Sequence, residues 1–271
     1  MNPGSVILQK QNEDESITLL AGQKELYTKA KTVATISLVM CLGIPLMFVL
    51  VQIFISVPYE VLFASSLITL VTDIVLVRRK SELQKEAASV QQAFDAHVYG
   101  IHFESASFNR KRMLQCAKEL MNCKGERERL KSWYPSTIAG MDPGAAISEC
   151  QHVNARWSKR LLTRYLAATI AASVAIVAII AGVMCCRHVA WQSLFFLLPL
   201  LEWMIRQFYD IYRARQSKRG LEKALETFKL ADLENIKCVQ EKLYEARAND
   251  VMVPDKLYNM FREKDERDVI A

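Results

Sequence analysis

Four long runs with almost no charge divide this chain, and they constrain its fold more than any other feature. Residues 32–57 carry no charged side chain. Residues 59–77 carry only Glu60, at the edge, and Asp73. Residues 165–186 again carry none, and residues 189–208 carry only Glu202 and Arg206. A helix needs about 20 apolar residues to cross about 30 Å of hydrocarbon, and each run is close to that length. One such run is compatible with a buried helix of a soluble protein. Four, in two close pairs, are the pattern of a bilayer. The whole chain is 51% hydrophobic, only slightly high, so the distribution of apolar residues carries the argument.

The connections within each pair are very short. Val57, Pro58, Tyr59 and Glu60 join the first two runs, and Arg187 and His188 join the last two. The expected architecture is therefore two transmembrane hairpins, at residues 32–77 and 165–208. Pro45 and Pro199 are expected to kink the first and fourth helices, since proline removes a helical N–H and crowds the preceding turn. Lysine and arginine set the orientation. Residues 1–31 hold 4, residues 78–164 hold 16, and the chain from Arg206 onward holds 14. The two hairpin loops together hold one, Arg187. The positive-inside rule then puts both termini and the middle segment in the cytosol. Tyr59 and Trp191 would sit at the outer interface, where amphipathic rings are favoured. Residues 1–31 are polar and the first run is too long for a signal-peptide core, so that run reads as an uncleaved anchor.

The remaining segments read as helical. After the second run, Leu83, Ala87, Val90, Phe94, Val98 and Ile101 recur at intervals of three and four. That is one apolar stripe, so the membrane helix is expected to continue beyond the bilayer. A second stripe follows the fourth run: Leu221, Leu225, Phe228, Ile236, Val239 and Leu243, interrupted at Asp232. Asp142 and Pro143 make a helix start, a capping carboxylate before proline at the first position. From there Ile147, Cys150, Asn154, Trp157 and Leu161 share a face. Strand alternation is absent. The fold class is thus an all-α integral membrane protein with four spans, helical cytosolic extensions and a helical insert between spans two and three. The segments are a cytosolic arm at 1–31, hairpin one at 32–77, a cytosolic domain at 78–164, hairpin two at 165–208 and a cytosolic tail at 209–271.

Catalytic and metal signatures are missing. No glycine loop is present to cradle a phosphate, no H-E-x-x-H and no nucleophile elbow. Cys150 and His152 lack a second ligand pair at zinc spacing. The seven cysteines are scattered and read as reduced thiols. The expectation is no enzyme, no metal and no cofactor.

Charge and aromatics point elsewhere. Residues 78–164 contain 16 basic and 9 acidic side chains, so the molecule's excess of +6 is concentrated there. Part of this follows from the membrane topology itself. Arg110 to Arg112 and residues 124–131 lie farther from the spans, where a basic face either is merely solvated or meets a phosphorylated ligand or acidic head group. Trp133 and Tyr134 follow Arg127 and Arg129. Such a pair either packs a core or stacks a base beside arginines that pair its phosphate. Asn154, polar within an apolar stripe, either pins the core or reads a ligand. Inside the spans, Asp73, Glu202 and Arg206 exceed what packing needs, and intramembrane acids are costly and often functional. They are also near enough to an interface to pair with one another or to reach it. Ala168, Ala171, Ala175, Ala178 and Gly182 give the third span a small-residue face for close helix approach.

These segments carry a resemblance. Residues 114–120 (LQCAKEL), 133–135 (WYP), 150–157 (CQHVNARW), Arg164-Tyr165 and the tail 253–258 with Arg262 resemble the SMODS-associating four-transmembrane effectors of bacterial cyclic-oligonucleotide antiphage systems. The family pattern has an arginine where His152 stands and an acid where Ser158 stands. The resemblance implies a bacterial inner-membrane protein. A partner nucleotidyltransferase makes a cyclic di- or trinucleotide on infection; the effector binds it, works as a homo-oligomer and compromises the bilayer, giving abortive infection. DNA and RNA polymers are not expected partners. The expected ligand contacts are Arg127, Arg129 and Arg160 to phosphates, Trp133 and Tyr134 stacked on bases, and Gln151 and Asn154 on base edges. Asp73, Glu202 and Arg206 are expected at the membrane step. A constitutive small channel or transporter subunit, and a membrane-anchored helical scaffold, are the rival readings.

Overall fold

The computed structural model describes residues 1–52, 54–55, 57–103, 107–187, 197–227 and 232–253, leaving aside the side chains of 156–161 and 183–187. Its α-helices, in chain order, are α1 (Gly4–Lys10), α2 (Asp14–Leu38), α3 (Ile44–Gln52), α4 (Tyr59–Tyr99), α5 (Arg110–Met121), α6 (Glu126–Arg129), α7 (Pro143–Arg187), α8 (Leu198–Thr227) and α9 (Leu233–Ala248). No strand occurs among the described residues. The chain divides into two compact units.

The first unit gathers Met1–Ala30, Ser81–Arg160 and Arg213–Asp250. Its core is aromatic. Phe94 stacks on Tyr134 with ring centres 6.1 Å apart, and Tyr99 lies 5.9 Å from Tyr134 on another side. All three side chains are fully or almost fully buried, with Ile7, Ile17, Leu20, Ile138 and Ile147. The N-terminal arm is built into this unit. The Asn2 N–H donates to the Tyr99 carbonyl at 2.9 Å, and its amide donates to the Val98 carbonyl at 2.8 Å. Gly4 is required for that fit: a Cβ there would lie 1.7 Å from the Ile138 carbonyl oxygen. Side-chain caps start α5 and α9. Asn109 accepts from the Arg112 N–H at the start of α5, and Asp232 from the Asn235 N–H at the start of α9. Asp232, which breaks the apolar stripe, is thus the start of a new helix. Leu221, Ala224, Val239, Leu243 and Ala246 pack α8 against α9. The expected stripe member Phe228 lies outside the described residues.

The second unit comprises Lys31–Lys80, Leu161–Tyr212 and Val251–Ala271, described as far as Val253. Among the described residues, three helical stretches are long and apolar enough to cross a membrane: Asp14–Gln52, Tyr59–Tyr99 and Leu162–Gly182. Only 22%, 22% and 17% of their most apolar windows are buried. Buried helices of a soluble core would be covered; here Val39, Leu50, Ile68, Ile74 and Val174 face outward. A hydrocarbon solvent accounts for that, and the chain is a membrane protein. The expected fourth run starts in residues 188–196, which lie outside the described residues together with His188 and Trp191. From Leu198, α8 runs on for 30 residues.

Between α2 and α3 the helix widens into a π turn, Val39–Gly43, two residues ahead of Pro45. The wider turn takes up the missing N–H and the ring. Pro199 lies one residue into the described part of α8, and the residues ahead of Leu197 in the expected fourth run lie outside the described residues. The other expected continuities are present: α4 is a single 41-residue helix, and α7 begins at Pro143 and runs 45 residues.

Candidate functional site

In the first unit, α4, α7, α9 and the segment after α6 bring polar side chains into the core. Asp95 on α4 has no exposed surface. Its carboxylate accepts from the Tyr134 hydroxyl at 2.6 Å, the Gln240 amide at 2.8 Å and the Arg247 guanidinium at 2.6 Å. Since Tyr134 donates to Asp95, its oxygen is left to accept, from the Tyr99 hydroxyl at 2.8 Å and the Asn154 amide at 3.4 Å. Gln151 donates to Gln240 and to the Ile236 carbonyl, both at 3.1 Å. The helical stripe of the sequence explains the delivery. Asp95 follows Phe94, Gln240 follows Val239, and Gln151 follows Cys150, each one step off a buried apolar position.

Burial dominates the electrostatics here. It pushes the Tyr134 phenol well above its ordinary range, and the Asp95 charge pushes the same way. Tyr99 is raised by burial and then by Tyr134, and the Cys150 thiol by burial and then by Asp95. Burial works against the Arg247 guanidinium, but the facing charges, Asp95 first, hold it above its usual value. The two form an ion pair at 2.6 Å, with Asp95 fully enclosed and Arg247 nearly so. A buried pair of this kind is costly to break by removing one member.

The segment leading to Tyr134 is held from the N-terminus. Ser132 takes a left-handed backbone conformation, φ 55°. Its N–H donates to the Asn12 side chain at 2.9 Å, and the Tyr134 N–H to Gln11 at 2.7 Å. These bonds offset the strain of a non-glycine residue in that region. They leave Trp133 38% exposed, its ring edge-on to Phe94 at 6.4 Å.

A second cluster lies within the membrane-spanning unit. Asp73, 1% exposed, pairs with Arg206 and accepts from the Ser37 hydroxyl. Arg206 also donates to both oxygens of Glu202, one turn earlier on α8, at 2.7 and 2.9 Å. Lys80 pairs with Asp210 at 2.9 Å. A cavity of about 20 Å³, the size of one water, opens beside them. Ser37, Lys80, Arg206 and Gln207 supply its polar lining, and Val251 and Met252 part of its apolar lining.

Of the residues singled out from sequence, Tyr134, Gln151 and Asn154 meet in the Asp95 network. Tyr134 is 2% and Gln151 1% exposed, and their polar atoms are spent inward. Arg127 and Arg129 stand apart on α6, paired with Asp14 and Glu126 at 51% and 74% side-chain exposure. Such exposed pairs are worth little and hold neither arginine fast. The side chain of Arg160 lies outside the described residues, as do those of Trp157 and of the tail from residue 254. Asp73, Glu202 and Arg206 do come together.

Sequence reasoning missed Asp95, Gln240 and Arg247, the centre of the first network. A charged residue directly beside a buried stripe position was the available signal for Asp95. Nothing local marks Arg247, which lies 152 residues away along the chain.

Comparison with known proteins gives one family. A family model described as the SMODS-associating 4TM effector domain matches residues 5–271. No curated protein and no solved structure matches the chain.

Proposed function

The chain belongs to the SMODS-associating 4TM effector domain family, and from that premise we propose that it is a cyclic-oligonucleotide-activated effector of antiphage defence. It sits in the bacterial inner membrane with four spans and both termini cytosolic. A partner nucleotidyltransferase supplies a cyclic di- or trinucleotide. Binding in the first unit rearranges a homo-oligomer, and the bilayer is breached.

The observation that carries this reading is the family match over essentially the whole chain. Two features of the structure support it. Polar and aromatic side chains from several helices converge in the first unit, where Trp133, Arg127 and Arg129 remain at the surface for bases and phosphates. The same chain holds an ionic cluster among apolar helices, at Asp73, Arg206 and Glu202, where charge is expensive unless paired. Four helices, α2, α4, α7 and α8, contribute residues to both units. A ligand that binds two arrangements of those helices unequally shifts their populations.

The test is thermal melting of the detergent-purified protein against a panel of cyclic di- and trinucleotides. A specific ligand raises the melting temperature by mass action. A selective shift with one member supports the sensor reading and names the messenger. Uniform silence from folded protein contradicts it and favours a constitutive channel or a scaffold.

A further inference from the structure

Asp95 is an anion enclosed by donors that suit a different anion. Its partners are a guanidinium, a phenol and a carboxamide, at 2.6, 2.6 and 2.8 Å. Behind the phenol stand the Tyr99 hydroxyl and the Asn154 amide. A second observation concerns Arg247. Its Nη1 meets Asp95, but its Nη2 is buried and has no hydrogen-bond acceptor among the described residues. Arginine favours two parallel bonds to the two free oxygens of a phosphate or carboxylate. Here the carboxylate serves one guanidinium nitrogen and leaves the other unspent.

We infer that Tyr134, Gln240 and Arg247 form the seat of a ligand phosphodiester, and that Asp95 occupies it as an internal anion in the resting protein. This rests on the reading of the chain as a cyclic-oligonucleotide sensor. Charge selects the ligand class. A phosphodiester carries one negative charge over two free oxygens, so it replaces one carboxylate without leaving Arg247 buried and unpaired. A phosphomonoester brings a second charge that no buried cation of this network answers. Gln240 and Arg247 both ride on α9, so a single helix carries two of the three donors. Occupancy by Asp95 lowers apparent affinity by the fraction of molecules in which the seat is free. The contact thus sets the threshold for activation.

The experiment uses the full chain in detergent. Titration calorimetry measures binding of cyclic dinucleotides and cyclic triadenylate, and thermal melting measures the response to millimolar dimethyl phosphate, a bare phosphodiester. Asp95→Asn is expected to bind the active cyclic nucleotide at least tenfold more tightly than wild type. Adding Arg247→Gln to it is expected to weaken binding at least a hundredfold. Unchanged or weaker binding by Asp95→Asn, as for a purely structural ion pair, overturns the proposal. So does wild-type affinity in the double variant. If Asp95→Asn does not fold, the double variant, with neither charge left alone, carries the test: loss of binding is expected, retained binding overturns. If no cyclic nucleotide binds any form, the sensor reading fails separately. Dimethyl phosphate then judges the seat: stabilisation of Asp95→Asn alone upholds it, and no stabilisation overturns it.

Discussion

At the scale of single residues, two buried ion pairs, Asp95 with Arg247 and Asp73 with Arg206, carry the most weight. Asp73 is enclosed and Glu202 is 42% exposed, though both face Arg206. Asp73→Ala leaves Arg206 without its enclosed partner and is expected to cost about 3 kcal/mol. Glu202→Gln is expected to cost under about 1 kcal/mol, as for an exposed pair. Melting in detergent checks both, and equal losses would contradict the ranking. In the first unit the phenols give a pH signature. Tyr99 and Tyr134 are raised by burial when folded, while an unfolded tyrosine ionises at about 10. The folded state then holds protons that the unfolded state releases. Their contribution is intact below pH 10 and declines as pH rises above it. Tyr99→Phe with Tyr134→Phe should flatten the fall in melting temperature between pH 9.5 and 11; an unchanged slope would count against it. The burial of Tyr134 was not legible in the sequence. An aromatic beside arginines looks alike whether it faces a ligand or a core. The side its ring takes depends on Gln11, Asn12 and Asp95, all distant along the chain.

At the scale of elements, periodicity was the informative signal. The stripe from Leu83 to Ile101 announced that α4 outruns the bilayer, and Asp142-Pro143 announced the start of α7. Both depend on contacts within a turn or two, which is why they could be read. The break at Asp232 was visible but its meaning was not, because an aspartate in a stripe is either a flaw or a cap, and only the Asn235 N–H decides. The docking of α1 left no signal beyond a glycine. That docking yields a prediction. Gly4→Ala puts a methyl against the Ile138 carbonyl, so the arm must shift. Faster proteolysis near Asn12 and Ser132 is expected, with the membrane helices unaffected; equal cleavage rates would show that the arm adapts.

At the scale of the molecule, apolar runs separated by charged segments were enough to recognise a membrane protein, since the bilayer imposes that pattern directly. Long-range pairing of α4 with α9 is not imposed by anything so simple. The proposed orientation rests on where lysine and arginine lie, and it makes a topological prediction. Single cysteines placed at Lys124 and Lys242 in a cysteine-free background should react with a membrane-impermeant reagent only after the cell envelope is opened. A cysteine at Pro58 should react in intact spheroplasts. The reverse pattern would invert the proposed insertion.

The most direct measurement is release of a trapped dye from liposomes carrying the purified full-length protein, with each cyclic di- and trinucleotide added in turn. The account predicts tight vesicles until one particular messenger is added, then rapid release that depends on protein density. Release without any messenger, or none with the messenger that binds, would contradict a ligand-gated breach of the membrane.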